Sequence, residues 1–533
     1  DAVAFHWYGA STPSNPAGAA SSFLSRVDSY HNSYGLPVFI TEFAIHDWGG
    51  AYTDDQITEA NRQFLDIVVP ALESRSYVAG YAFYPWFSDG KLFSGSPWTP
   101  TPMAYGYVGA IGSGSTADVG GMNLGEHVAY LTGGTLTMTG SAGTVRYVNA
   151  LANTSVVTGS LSWGTEASSS WARVQAGATL RKSGSNLVTF GGASVTNDGT
   201  IEVAEGGLRI ATVAGGTGSI TIPSNGGAVG STARLELAGS GSIAAPIWLA
   251  PRNDPGGSDA IRGVSGTTTI AGPITITVGG SQSRIQADAG VLTIGDITTN
   301  AGSSRNLYLQ GAGGGVVAGT IADNPANSAA TINLFKEGAG TWTLTGANTY
   351  SGSTTIAAGT LRLAAATGTA AGRLPDTASV AIAAGGTLDV GSVTQRLAAL
   401  SSPAGSAVVL SSGSGRLILG TSGTERLAGV VSGGGTLEMA GLGTLVVTAS
   451  NSHRGGTVIS SGRVVAGHAM ALGAAGVTMA GGTLTTGTEA GAAVSLANPI
   501  TTGGGGIKAG DGMLLTLAGS LLGSGSLTLS GSF

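Results

Sequence analysis

Residues 338–361 read GAGTWTLTGANTYSGSTTIAAGTL. In Thr341-Trp342-Thr343-Leu344-Thr345 apolar and hydroxyl side chains alternate. That period of two predicts a short strand with one buried face. The pattern returns at 441–464 as GLGTLVVTASNSHRGGTVISSGRV. At a constant offset of 103, Gly340, Thr341, Asn348, Gly352, Thr354, Ile356 and Gly359 meet Gly443, Thr444, Asn451, Gly455, Thr457, Ile459 and Gly462. A shorter unit, Gly-Thr-Leu or a close variant, begins at Gly134, Gly359, Gly386, Gly435 and Gly482. Strands spaced about 19 to 27 residues apart, with glycine at the corners, predict a solenoid in which each coil buries its face on the next.

Composition agrees. Of 533 residues 92 are glycine, while charged residues make up 10%, against a usual share of about a quarter. A stacked β rod needs Val, Ile, Leu and Ala inside, and Thr and Ser outside avoid like-charge ladders between coils. The net charge of −6, with no basic block, excludes a nucleic-acid binder. The glycines follow no period of three, which excludes collagen. Mean hydropathy is +0.26, yet no apolar run is long enough for a membrane helix. Without cysteine, disulfides and thiolate metal sites are impossible. His127, His453 and His468 lack ligand spacing, and Gly510-Asp511-Gly512 does not recur in tandem, so no metal or cofactor is expected. Trp163, Trp171, Trp248 and Trp342 stand too far apart in sequence to read as a row of sugar-binding rings.

Composition breaks near residue 107. Residues 1–107 hold 21 of the 32 aromatics but only 9 of the 92 glycines, and 10 acidic against 4 basic residues carry the whole net charge. Two domains are therefore expected, 1–107 and 120–533, joined by a Gly/Ser linker over 108–119. The first alternates strand and helix. Val3 to Gly9 is an aromatic, β-branched run; Phe23, Val27, Tyr30 and Tyr34 recur at helical spacing; Pro37 to Ala44 is a second strand. Thr53 and Gln56 form a capping box, and Ile57, Ala60, Phe64, Ile67 and Val68 line one helix face, which Pro70 should end or kink. Val78 to Phe87 is a third strand. This βαβαβ order predicts a parallel sheet covered by helices. Three strands do not close a barrel.

In parallel α/β folds reactive groups sit at the carboxyl ends of the strands. Those ends carry His6, Trp7 and Tyr8, then Glu42, then Tyr84 and Trp86. A carboxylate among aromatic rings suits a sugar site: rings stack on pyranose C–H faces, and the carboxylate attacks or stabilises an oxocarbenium-like carbon. Trp7 alternates away from its neighbours and is expected in the core. Trp48 lies in the loop after Glu42 and is a candidate cleft wall.

Two resemblances extend this reading. The 338–361 and 441–464 stretches resemble the autotransporter-associated β-strand repeat of Gram-negative passenger proteins. This implies a right-handed parallel β-helix at the cell surface or outside it, in a family where an outer-membrane barrel often follows; this sequence stops at Phe533 inside repeat-like sequence, so such a barrel would lie beyond it. AFHWYG, YGLPVFITEFA and VAGYAFYPWF resemble the last three strands of the (β/α)₈ barrel of glycoside hydrolase family 128, the group typified by the alkali-sensitive linkage protein. The implied activity is retaining endo-hydrolysis of β-1,3-glucan. Glu42 matches the nucleophile, His6 and Tyr8 match residues beside it, and Trp86 and Tyr84 fall near substrate-binding aromatics. The expected fold is thus a partial (β/α)₈ barrel, its last three βα units, followed by a long, mainly β solenoid. The family's acid/base Glu sits on a strand that would precede residue 1. Residue 1, Asp, reads as a cut end, so the chain alone is expected to be inactive. The competing expectation is an adhesive surface protein carrying a degenerate hydrolase remnant.

Overall fold

The computed structural model describes residues 2–9, 13–47, 50–83, 93–94, 99–100, 116–118, 125–131, 134–138, 143–150, 154–158, 161–163, 171–185, 187–224, 232–253, 259–365, 372–487 and 493–530. They fall into two compact units, Asp1–Thr221 and Ile222–Phe533. The fold is mainly β: a parallel β-solenoid of the right-handed type, about 14 turns in all, with little helix.

The first unit opens on the expected βαβαβ order: β1 (Val3–Gly9), α1 (Pro16–Tyr34), β2 (Val38–Ile45), α2 (Asp54–Glu73) and β3 (Val78–Phe83). The three strands are parallel and lie in sequence order, with β2 in the middle. Phe23 of α1 and Phe64 of α2 are fully buried and meet Trp7 and Phe43 from the sheet. Trp7 lies flat against Phe64 at 5.5 Å, a core residue as its alternation predicts. The Thr53–Gln56 capping box forms in both directions. Pro70 does not end α2, which continues to Glu73. Leu72 is buried, and Ser74 and Arg75 side chains donate to the Ala71 carbonyl; this packing and capping hold the final turn beyond the proline. Asp28 accepts a two-pronged Arg75 contact at 2.6 and 3.0 Å and a short Tyr77 hydroxyl bond, bracing α1 against the turn before β3. The guanidinium holds the Asp28 carboxyl below its usual range.

Parallel ladders build the coils. Thr341 pairs with Thr360 and Gly359 with Gly386, steps of 19 and 27 residues, as the repeat spacing predicts. A representative coil of the second unit has three strands, Gln282–Ala287, Val291–Ile294 and Ile297–Thr299. Ile285, Leu292, Ile294 and Ile297 point into a dry core. Gly359 and its repeat mate Gly462 sit at φ +64° and +67°, where a side chain would also strike carbonyls of the preceding coil. Trp342 is buried, and its indole occupies the space a Cβ on Gly315 would need.

Polar groups inside the solenoid bond between coils. Asn348 and Asn451 occupy the same repeat position. Each accepts from a backbone N–H, of Ile321 or Val431, and donates to a carbonyl, of Arg373 or Ala471. Lys336 is fully buried, and its ammonium donates to the carbonyls of Glu337, Gly338 and Ala358 at 2.7–2.9 Å. Lys182 makes the same three-carbonyl cap on Ser183, Gly184 and Glu205. Burial pushes both ammonium groups down to about 8.

Candidate active site at the end of the middle strand

Strand alternation alone puts Glu42 on the wrong face. Val38 and Ile40 are buried; Phe5, paired with Ile40, contacts Phe23 and Tyr30 of α1. Continuing by twos, residue 42 would also enter the helix-covered core. It does not, because the β1–β2 register shifts: Phe5 faces Ile40, but His6 faces Glu42. Thr41 is the extra residue, a β-bulge that reverses the parity of the strand. Its hydroxyl donates to the Phe5 carbonyl at 3.1 Å and lies 3.4 Å from His6 Nδ1. Beyond the bulge Phe43 returns to the core against Phe23, and Glu42 emerges on the opposite face beside His6 and Tyr8. A buried amide fixes the strand just past this point. Asn61 of α2 accepts from Ile45 N–H at 2.8 Å and donates to Ile45 C=O at 2.9 Å.

The Tyr8 hydroxyl donates a short hydrogen bond to Glu42 Oε2, and His6 Nδ1 lies 3.2 Å from the same oxygen. Glu42 is one-third exposed and His6 more than half exposed, so the carboxylate is open to a ligand. With both contacts on Oε2, Oε1 has no bond among the described residues. The loop beyond turns on Asp47, whose carboxylate accepts from Tyr52 N–H at 2.8 Å. His46 is buried, and burial holds its imidazole below the usual value, opposed in part by Asp47.

The structure therefore brings His6, Tyr8 and Glu42 together. Tyr84, Trp86 and Trp48 lie outside the described residues. Thr41 and Asn61 were not legible as site residues. Their signals exist in hindsight: two successive polar residues interrupt VFITEFAI, and an amide one helical turn after Ile57 interrupts an apolar face. No group of carboxylates and histidines able to hold a metal occurs among the described residues.

An open carboxylate thus stands at the end of a parallel strand, with a tyrosine and a histidine on one of its oxygens. Residues 1–104 match the glycosyl hydrolase catalytic core. Residues 334–363 and 437–466 match the passenger-associated-transport-repeat, the two stretches whose internal likeness decided the solenoid. The chain is also 29% identical over 319 residues to the Adhesin BmaC autotransporter of Brucella suis biovar 1 (strain 1330), a match that takes in 56% of this chain and 9% of that protein. No solved structure matches the chain.

Proposed function

We propose that residues 1–107 are the last three βα units of a retaining glycoside hydrolase barrel of family 128 type, carried on the β-helix of 120–533 through a linker at 108–119. The substrate is a β-glucan, cut within the chain at β-1,3 linkages, and the protein works outside the cell or at the surface of a Gram-negative bacterium. The observation that carries this reading is the bulge-directed placement of Glu42 beside His6 and Tyr8.

In the proposed reaction Glu42 Oε1 attacks the anomeric carbon while Oε2 stays bonded to the Tyr8 hydroxyl. That bond fixes the carboxylate's rotation and leaves one oxygen as the nucleophile. The glycosidic C–O bond breaks as the leaving oxygen takes a proton from a second carboxyl group, giving a covalent glycosyl-enzyme. Water, deprotonated by that second group, releases the sugar with retention. Trp86, Tyr84 and Trp48 are proposed to line the substrate cleft. A retaining pair lies about 5–5.5 Å apart. The resemblance to family 128 assigns the acid/base to another strand of the barrel, upstream of β1, and on that assignment residues 1–533 alone are not expected to turn over glucan.

Laminarin hydrolysis by the longer protein, with and without Glu42→Gln, tests the assignment. Loss of kcat/KM on the order of 10⁴-fold or more is expected for the variant. Activity that survives removes Glu42 as nucleophile, and turnover by residues 1–533 alone removes the argument for a missing acid. The likeness to an adhesin favours a second reading, an adhesive surface protein with a hydrolase remnant. An upstream region with no strand-end Glu supports it.

A further inference from the structure

One face of the second unit breaks the solenoid's own compositional rule. In the coils around residues 267–299, outward positions of the neighbouring strands are Thr267, Thr269, Thr275, Thr293 and Thr298, with Val291 the one exception. The stacked strands Gln282–Ala287, Arg305–Gln310 and Ile332–Lys336 instead present amides, rings and ions. Their register is continuous: Arg284 faces Tyr308, which faces Phe335. The guanidinium lies 3.9 Å over the Tyr308 ring, and the ring stacks on Phe335 at 4.7 Å. On one flank Gln282 faces Asn306, which faces Asn333; on the other Gln286 faces Gln310.

Asn is depleted in strands, and here the amides bond along the stack as ladders. The face has a defined polarity. Arg284 binds Glu337 at 2.9 Å, so its central cation is neutralised on the spot. Gln310 Nε2 donates to Gln286 Oε1 at 2.8 Å, and Asn333 Nδ2 to Asn306 Oδ1 at 3.0 Å. Each of those donor amides commits one N–H and keeps a second, on half-exposed side chains. Arg284, over nine-tenths buried, has an Nε with no partner among the described residues. The surface is thus rigid, uncharged overall, rich in paired donors and acceptors, and backed by rings. Coils repeat at ~4.8 Å, close to the advance of one hexose along an extended glycan.

We infer that this face, whose half-buried Asn306–Asn333 and Gln286–Gln310 ladders flank the buried Arg284–Tyr308 stack, binds a neutral polysaccharide chain running across successive coils. Vicinal hydroxyls accept the uncommitted amide hydrogens, while the amide oxygens are held in place by Arg284, neighbouring amides and Ser353, and the matched repeat lets each coil meet one sugar. A nucleic acid or acidic polymer finds no net positive charge here. The inference does not depend on Glu42; a solenoid that holds glycan needs no hydrolase.

Affinity electrophoresis of the whole chain through native gels containing laminarin, hydroxyethylcellulose or galactomannan tests it. At least one of these neutral glycans should retard migration. The paired change Asn306→Ala and Asn333→Ala leaves the Arg284–Tyr308–Phe335 stack in place and should weaken retardation roughly tenfold, the size expected for two lost hydrogen bonds. Thr269→Ala with Thr293→Ala, on another face, should change nothing. Gln286→Ala with Gln310→Ala serves as a second test if circular dichroism finds the first pair misfolded. Absence of retardation by all three glycans, or retardation indifferent to both amide pairs, overturns the inference. So does self-association that the amide pairs abolish without any glycan effect, which would give the face to a second copy of the chain. The readout is migration, not turnover, so failure of the hydrolase reading leaves this test standing.

Discussion

The α/β layer of residues 3–83 and the coils of residues 222–530 use the same parallel pairing to opposite ends. In the coils regularity is the product: most strands repeat the register of the one before, and a polar group inside, Asn348, recurs at Asn451. In the α/β layer the site exists because one register is broken. Thr41 inserts a residue into β2 against β1, and that shift carries Glu42 from the helix-covered face to the open one. Repetition gives stability that any coil can supply; chemistry needs one position unlike its neighbours.

The largest expected effect tests that contrast directly. Deleting Thr41 restores plain alternation and turns Glu42 toward Phe23 and Phe64. Laminarin kcat/KM of the longer protein should then fall as far as in Glu42→Gln, on the order of 10⁴-fold. Thr41→Val keeps the bulge and loses the bond to the Phe5 carbonyl, so about a tenfold loss is expected. Equal activity of the deletion and the parent would break the comparison. Tyr8→Phe, which removes the Tyr8–Glu42 bond and leaves Thr41 in place, separates orientation of the carboxylate from its placement.

The coils should respond in stability, and locally, since each contacts only its neighbours. Lys336→Met strands three carbonyls and should lower the opening free energy of its coil by about 3 kcal/mol, read by hydrogen exchange at Lys336–Ala358. Unchanged protection there would show that the ammonium is not a staple.

A third test uses the repeat pair. Tyr350 and His453 fill the same buried slot and bond Thr354 and Thr457 at 2.7 and 2.9 Å. Burial pushes the His453 imidazole down to about 4 from its ordinary 6.5. With the folded value depressed, the unfolded chain takes up the proton first. The neutral histidine's contribution is present above pH 6.5 and is lost as pH falls from 6.5 toward 4. His453→Tyr installs the other repeat's residue and should recover roughly 3 kcal/mol at pH 4, with little change at pH 7.5. Parallel acid-unfolding curves for parent and variant would refute the assignment. The smallest effect belongs to the surface: Arg362 and Asp389 pair at 3.5 Å across adjacent strands, and Arg362→Ala should cost under about 1 kcal/mol, less at high salt.

Local patterns along the chain specify the elements and their order. Period-two alternation, corner glycines and the offset of 103 specify stacked parallel coils, because each reports a local constraint: which face is buried, where φ must be positive, how long a coil is. The βαβαβ order was legible for the same reason, down to the Thr53–Gln56 cap. Only the tertiary structure decided what meets what. That Glu42 opens away from the helices depends on how β2 registers against β1, thirty-odd residues earlier. The Asn61 lock on Ile45, the Asp28–Arg75 brace and the Arg284–Tyr308–Phe335 stack join residues far apart in the chain, and their spacing in sequence carries no period to read. Alternation fixes a strand's faces only until a bulge resets them, and whether one forms is settled by the neighbouring strand.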